Sequence, residues 1–498
     1  MHALNQEELA RVAQERPDLE QVINGGMGMA IAMILELEKR CAETGSLLEK
    51  SRRVAVPNSR TSHSPPSQDP RPKPRSQRKK SGKKSGGQPG HPGHRLEPVK
   101  NPDHVVDHHV TQCDHCDADL RKAPILDLVR KQVFDLPERI RLEITEHRCE
   151  RKGCPNCDAI TTAPAPEGAT QPTQYGVRLS AWVIYLTEVH FVPLARTCAL
   201  IKTLTGACIS QGYVVQCTRR LAKNLGPFME VAKDLLRKSP TVHCDETGIR
   251  FLGKRYWLHV CSTVLLTVLL ASRSRGRKGI NDMGILGDDQ QVVISDHLPS
   301  YYTIDCLHGA CNAHHVRELT FVVEEMGQDW GKRMIRVLLD AKKLKEQYHP
   351  FGKLIPEALT RKIVRRYRAA LQAGYAVNPA PPPPKIKKRG RPRRGKVLCL
   401  LHRLRDREDA VLRCLFDPQV PWDNNQAERD LRMEKVQQKV SGGFRTEIGA
   451  EEFAVNRSYL DTMRKQGVEI LPGIILALRG KPWLPKGIRD KEEHRKAG

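Results

Sequence analysis

Apolar positions change period several times along the chain, and each change marks a boundary. In residues 1–50, Met27, Ala30, Ile34, Leu37, Cys41 and Leu48 fall at a and d spacing, with Glu36, Glu38 and Lys39 on the outside. Two readings stay open there. One is a short coiled coil, which would make the chain a homo-oligomer. The other is an amphipathic helix packed on its own chain; three heptads, one with Thr44 at a seam position, do not decide between them. From 51 to about 104 apolar residues nearly vanish. Such a stretch cannot bury enough surface to offset its ordering entropy, so it reads as a linker. Val133 to Thr145 is strand-like. From about 170 to 238 the period becomes helical. Val177, Leu179, Ala181, Trp182, Ile184, Tyr185 and Val189 share a broad face, Leu194 to Leu204 forms a second helix, and Val214, Val215, Cys217 and Leu221 mark a third after Gly206. Helix, Gly-bearing turn, helix fits a helix-turn-helix DNA reader, but plain packing in front of the next domain is preferred.

Short runs of strand type follow. Thr241 to Asp245 is the first. Lys254 to Ser262 and Val264 to Ala271 make a hairpin. A helical connection through Ile280 and Ile285 leads to a fourth strand, Gln291 to Ser295, and Thr303 to Gly309 gives a fifth. Hairpin first and βαβ second predicts a mixed sheet in which the first and fourth strands lie side by side. Helices are expected from Ala313 to Ala373, again from Leu398 with Leu401, Leu404, Ala410, Val411 and Leu415 on one face, and finally through Leu431, Val436 and Val440.

Charge narrows the partner. The 498 residues carry a net +26, which points to a polyanion, and nucleic acid is the commonest. A basic membrane-surface protein would need a strong amphipathic helix or a lipidation site, and neither is legible. The longest apolar run, Val260 to Ala271, is too short to span a bilayer. The opening residues do not read as a secretory signal, so a cytoplasmic protein is expected, associated with a bacterial nucleoid, and no membrane partner. Its fifteen cysteines then read as reduced thiols plus a metal site.

Arg71, Lys73, Arg75, Arg78, Lys79, Lys80, Lys83 and Lys84 form a basic cluster suited to phosphates, or a solubilising tail. Beyond Pro381 to Pro384, the tract Lys387-Lys388-Arg389-Gly390-Arg391-Pro392-Arg393-Arg394 looks like an AT-hook, whose arginines enter a narrow minor groove; a basic linker is the alternative. Cys113-x-x-Cys116 and Cys154-x-x-Cys157 resemble a zinc ribbon, with Zn²⁺ as a structural ion. Cys149 could replace Cys154, and His115 or His147 could compete.

Three carboxylates suit a metal-dependent nuclease. Asp245 closes the first strand, Asp296 closes the fourth, and Glu428 stands in Trp422-Asp423-Asn424-Asn425-Gln426-Ala427-Glu428-Arg429. An RNase H-like fold collects its divalent-ion ligands in this way. Asn425 to Glu428 also reads as a capping box, with Glu428 bonding back to the helix start. The expected fold is therefore multidomain α+β: an N-terminal coiled-coil helix, a zinc-ribbon-like module, and an RNase H-like α/β catalytic domain with a large, mostly helical insertion. Its predicted divisions are 1–50, 51–104, 105–165, 170–238, 239–325, 326–415 (the insertion with its hook-like tract) and 416–498.

The chain resembles the IS66 family of insertion-sequence transposases. The resemblance rests on His243-Cys244-Asp245-Glu246-Thr247-Gly248, Lys254-Arg255-Tyr256-Trp257, Ser295-Asp296, Cys311-Asn312-Ala313-His314, Asp423 to Arg432, and Lys439-Val440-Ser441-Gly442-Gly443-Phe444-Arg445. The Gly-Gly-Gln-Pro-Gly-His segment, cysteine module and N-terminal helix follow the family's order. It implies a DDE-type transposase with Asp245, Asp296 and Glu428 as its triad. Asn312 departs from it, standing where many relatives have an aromatic residue. The Cys311 to His315 stretch reads as buried helix-start packing in preference to a second metal site. Hard carboxylates favour two Mg²⁺ or Mn²⁺ ions, with Asp245 bridging both and Asp296 and Glu428 each binding one. Water would free a 3′-OH, which then attacks target DNA. The partners expected are double-stranded DNA (element ends and target), a second copy of the chain, and accessory proteins of the element. Arg429 and Arg432 crowd the same helix start as DNA-contacting cations. Two rival readings are a DNA-binding protein without catalysis and a nuclease that cuts but never joins.

Overall fold

The computed structural model describes residues 6–17, 38–39, 96–137, 140–166, 168–251, 253–351, 353–379 and 395–486. The coiled-coil seam from Met27 to Leu48, the basic cluster including Lys79, Lys80, Lys83 and Lys84, and the hook-like tract with Arg389, Arg391, Arg393 and Arg394 lie outside them. Helix α1 (Gln6–Glu15) falls inside. The chain divides into two compact units, one made of 1–72, 165–197 and 210–498, the other of 73–164 and 198–209. None of the described helices is long and apolar enough to cross a membrane.

In the smaller unit, β1 (Arg151–Gly153) and β2 (Ile160–Thr162) pair antiparallel and flank the second cysteine hairpin. Val133 to Thr145 departs from expectation. Its described residues hold no paired strand, and Val133 and Ile144 are each 90% exposed. Apolar side chains gave the strand signal, but a strand needs a neighbour to take up its backbone groups.

The larger unit is built on a five-stranded mixed sheet. Its strands are β3 (Thr241–Phe251), β4 (Lys254–Ser262), β5 (Thr267–Ser272), β6 (Val292–Ser295) and β7 (Leu307–Ala310), in the order β5-β4-β3-β6-β7. β3, β4 and β5 form an antiparallel meander, while β6 and β7 run parallel to β3. The expected neighbours, β3 and β6, are indeed side by side. β3 is longer than the sequence suggested. Asp245 was expected to end it, but pairing with β4 carries it through to Phe251, so Asp245 lies within the strand. β5 begins three residues late because Thr263 N–H bonds Leu266 carbonyl in a turn that leaves Val264 exposed. Tyr301–Thr303 forms a 3₁₀ turn that delays β7.

Helices α2 (Val177–Ile184), α3 (Leu194–Thr205), α4 (Gln211–Asn224) and α5 (Gly226–Arg237) precede the sheet. α2 and α4 pack on each other and on the final helix, and α4 also packs on the helix before that one. Short α6 (Arg277–Asp282) crosses β4, where Gly279 meets Ser274 and His259 closely enough to exclude a Cβ. α7 (Asn312–Glu324), α8 (Asp329–Tyr348), α9 (Glu357–Val377), α10 (Lys396–Asp406) and α11 (Glu408–Phe416) close a core with β6 and β7 around Ile294, Trp330, Tyr367 and Leu401. A second core joins Ile249, Leu258, Val260 and Leu269 to Ala427 and Leu431 of α12 (Asn425–Ser441) and Ala450 and Ala454 of α13 (Glu447–Lys465); α14 (Ile470–Leu478) follows.

An edge strand such as β5 exposes unpaired backbone groups. α13 covers them. Thr267 N–H donates to Thr462 Oγ1 (3.0 Å), and Leu269 N–H donates to Ser458 Oγ (2.8 Å). Two strand residues rise about 6.6 Å and four helix residues about 6 Å, so the i, i+4 hydroxyls match alternate amides. Thr462→Val keeps the shape and removes the acceptor from a fully buried donor. It should lower unfolding free energy by about 1–3 kcal/mol, read from the urea midpoint. An unchanged midpoint would show that this contact does not hold the edge.

Candidate active site

Parallel pairing of β3 with β6 ends at His243 opposite Ile294. Asp245 and Asp296 each stand two residues beyond that rung, Asp245 inside β3 and Asp296 just past the end of β6. Since β6 stops at Ser295, the edge of β3 is open there. Asp245, Glu246 and Asp296 bring carboxylate oxygens within 4.8 Å of one another. Asp245 and Glu246 start on opposite faces of the strand. Asp245 Oδ1 turns back to accept from Glu246 N–H (2.8 Å), which draws the two acids together at the open edge. Asp296 Oδ1 accepts from Leu298 N–H (2.8 Å), fixing its side chain in the turn after β6.

These acids repel one another in a half-dry site. Burial first, then the charges of Glu246 and Asp296, hold the Asp245 carboxyl well above the usual carboxylate range; Glu428 adds to the effect. Glu246 is pushed up to about 7 by burial and Asp296, against the pull of Arg275. Arg275 Nε donates to Glu246 Oε1 (2.9 Å) and Tyr301 hydroxyl donates to Oε2 (3.2 Å), while the Arg275 guanidinium stacks 4.8 Å from the Trp257 ring. Glu246 is the residue the sequence reading missed. It stands next to Asp245, but alternation along a strand starts neighbouring side chains on opposite faces.

Glu428 sits beside this pair and not within it. One oxygen, Oε1, lies 3.4 Å from His314 Nε2, and Oε2 lies 3.7 Å from Arg317 Nη2. Cys311, His314 and Glu428 offer ligand atoms within 4.8 Å of one another, a second cluster. The expected capping box is not formed. Asn424, not Asn425, is the cap residue, and its own side chain does not cap the helix; Asp423 Oδ1 accepts from Asn425 N–H (3.1 Å) instead. The reason is that Asn424 is occupied elsewhere. It is 1% exposed; its Nδ2 donates to Cys244 carbonyl (2.7 Å), its Oδ1 accepts from His243 Nδ1 (2.9 Å), and its N–H meets Cys311 Sγ (3.2 Å). One amide thus ties the start of α12 to β3 and to the start of α7. Asn312 is buried too, donating to Val411 carbonyl (3.0 Å) and accepting from His315 Nδ1 (3.1 Å). Helix-start packing is therefore part of what this stretch does. The next motif is also structural. Gly442 ends α12 at φ 72°, and Gly443 passes so close to Arg250 carbonyl that a Cβ would lie 2.7 Å from it. Arg429 and Arg432 are exposed on the first turns of α12, Arg429 Nη2 donating to Gln426 Oε1 (2.7 Å).

The cysteine hairpins of the smaller unit are twins. Asp117 N–H bonds Cys113 carbonyl and Asp158 N–H bonds Cys154 carbonyl, with both aspartates in the left-handed region at φ 57° and 58°. Backbone N–H groups of residues 115 and 116, and of 156 and 157, point at Cys113 and Cys154 and hold both thiols below their ordinary range. Among the described residues, however, no three of Cys113, Cys116, Cys154 and Cys157 lie within 4.8 Å of one another.

A family model described as Transposase IS66 family matches residues 172–452, from α2 through the first turns of α13. No curated protein matches the chain.

Glu246 predicts a pH dependence. Its folded pKa is raised, so the folded state holds the proton longer than the unfolded chain does, and stability falls as pH rises. The window runs from the ordinary value, about 4.3, to about 7, and the loss is complete above it. Glu246→Gln should remove this slope. Measured without divalent ions by urea unfolding, the variant should gain on the parent by up to about 3 kcal/mol across that window. Parallel curves would show that Glu246 titrates normally.

Proposed function

The chain belongs to the IS66 family of transposases, and from that premise we propose that it is a DDE-type enzyme which cuts the ends of a mobile element and joins them to target DNA. The observation that carries this reading is the meeting of Asp245 and Asp296 at the open edge of β3, with Glu428 at its border. The strand order, an antiparallel meander followed by two parallel strands, supports an RNase H-like core.

The acids fit a pair of Mg²⁺ or Mn²⁺ ions. They are hard oxygen donors and they crowd without a full set of counter-charges: among the described residues Arg275 bonds Glu246, and Arg317 lies 3.7 Å from Glu428. Ions bound there would stabilise charge on the attacking and leaving oxygens of an in-line displacement. Asp245 would hold the ions from β3, and Asp296 from the end of β6. Glu428 would complete the ligand set once its carboxylate leaves His314. Glu246, held by Arg275 and Tyr301, positions Asp245 through its N–H and adds negative charge. Arg429 and Arg432 present cations to the DNA backbone beside the acids. The nucleophiles are water and then the freed 3′-OH, so no serine or tyrosine is assigned. Zn²⁺ in the twin hairpins would hold the small unit, whose apolar residues are mostly exposed. The net charge of +26 supports a polyanion, here double-stranded DNA, as partner; a place on the bacterial nucleoid, no membrane partner, self-association and accessory proteins of the element complete the proposal.

Asp245→Asn, Asp296→Asn and Glu428→Gln should each lower end cleavage and strand transfer by at least about 10²-fold while end binding in gel-shift assays is kept. Pre-cleaved ends with Mn²⁺ separate the alternatives. Joining supports the transposase; cutting without joining leaves a nuclease; and equal behaviour of parent and variants leaves a DNA-binding protein.

A further inference from the structure

The second cluster differs from the acid group in its donors. Cys311 caps α7, His314 stands on that helix's first turn, and Glu428 stands on the first turn of α12. A sulfur, an imidazole nitrogen and a carboxylate oxygen meet within 4.8 Å. Magnesium and calcium do not seek sulfur, whereas Zn²⁺ binds thiolate, imidazole and carboxylate together.

Three details favour a metal over an ordinary ion pair. First, Asn424 N–H points at Cys311 Sγ (3.2 Å), the same amide-to-sulfur contact that both CxxC hairpins make; burial still pushes the free Cys311 thiol up to about 12, so the metal itself has to displace its proton. That amide is fixed, because the Asn424 side chain is bonded to β3. Second, Glu428 Oε1 is buried and forms no hydrogen bond, while Arg317 holds the other oxygen. Third, a thiolate and a carboxylate neutralise a divalent ion, so a buried site stays uncharged overall. Cys311 and His314 are buried, and the Glu428 side chain is 27% exposed, which leaves a water-accessible fourth position.

We propose that Cys311, His314 and Glu428 form a Zn²⁺ site, and that its occupation withdraws Glu428 from the acid group. The second half rests on Glu428 serving that group, as argued above. Binding forms S–Zn, N–Zn and O–Zn bonds, and the Cys311 thiol proton leaves to solvent. The site would make the enzyme sensitive to a thiophilic ion through one shared carboxylate.

The test uses the full-length protein loaded with Zn²⁺, freed of loose ion, and assayed for zinc per chain. Cys311→Ser and His314→Gln should each hold about one ion fewer than the parent, while Cys113→Ser should lose ion without affecting the Cys311-dependent one. Equal zinc in the parent, Cys311→Ser and His314→Gln overturns the site. His314→Gln decides if Cys311→Ser fails to fold, as judged by its circular-dichroism melt. For the coupling, Mn²⁺ affinity is read by electron paramagnetic resonance. Zn²⁺ should weaken it at least roughly fivefold more in the parent than in Cys311→Ser. An equal effect in both overturns the coupling. A parent that binds no Mn²⁺ overturns the acid-site reading and with it the coupling, while the zinc count still decides the site.

Discussion

Three rungs of parallel pairing between β3 and β6 set the geometry on which the active-site reading depends. Thr241 faces Val292, Val242 faces Val293, and His243 faces Ile294. With that register, the chain delivers one acid two residues past the last rung on each strand. A slip of one residue would turn every β6 side chain to the other face and move Ile294 out of the core it shares with Trp330 and Leu401. The apolar face of β6 therefore fixes the position of Asp296 as firmly as any contact the acid makes. On the other strand, β4 performs the same service by pairing with β3 from His243 to Phe251.

Asn424 extends that constraint to the third acid. Its amide uses donor and acceptor on β3, and its backbone N–H reaches Cys311. Removing its side chain would leave two buried partners on β3 unsatisfied, a penalty of about 1–3 kcal/mol for each neutral group. The polar run Asp423-Asn424-Asn425 is thus chiefly a tether that places Glu428.

Much of this was legible in the sequence, for identifiable reasons. β6 reads clearly because all four residues are buried and apolar or small. The second half of β3, Asp245 to Arg250, does not. Ile249 alone of its side chains joins the core, while Asp245 and Glu246 turn to the site and Arg250 is exposed, so hydrophobic periodicity fails where the acids gather. Glu246 was lost for the same reason: a rule of alternating faces says nothing about a strand whose neighbour has ended. α13 was obscured differently. Asn456, Arg457, Ser458 and Thr462 look like an exposed polar face yet are buried, because they serve the Thr218 carbonyl, the Glu188 carbonyl and Asp461 carboxylate, and the edge of β5. The cap at Asn425 was misplaced by one residue because a capping pattern cannot reveal that the preceding asparagine is held by a distant strand.

Glu428 answers to two sets of neighbours, and their energies decide where it can go. His314 and Arg317 hold it at 3.4 and 3.7 Å, and its side chain and that of Arg317 are about a third exposed. Contacts of that length and exposure are worth about 0–1 kcal/mol. Moving the carboxylate toward Asp245 and Asp296 costs like-charge repulsion, already visible in the raised Asp245 carboxyl. A divalent cation among the acids reverses that sign, because its charge dominates the local field. A thiophilic cation at Cys311 and His314 acts in the opposite direction. The same side chain is then a sensor of which ion is at hand, since the protein itself holds it only weakly in either place.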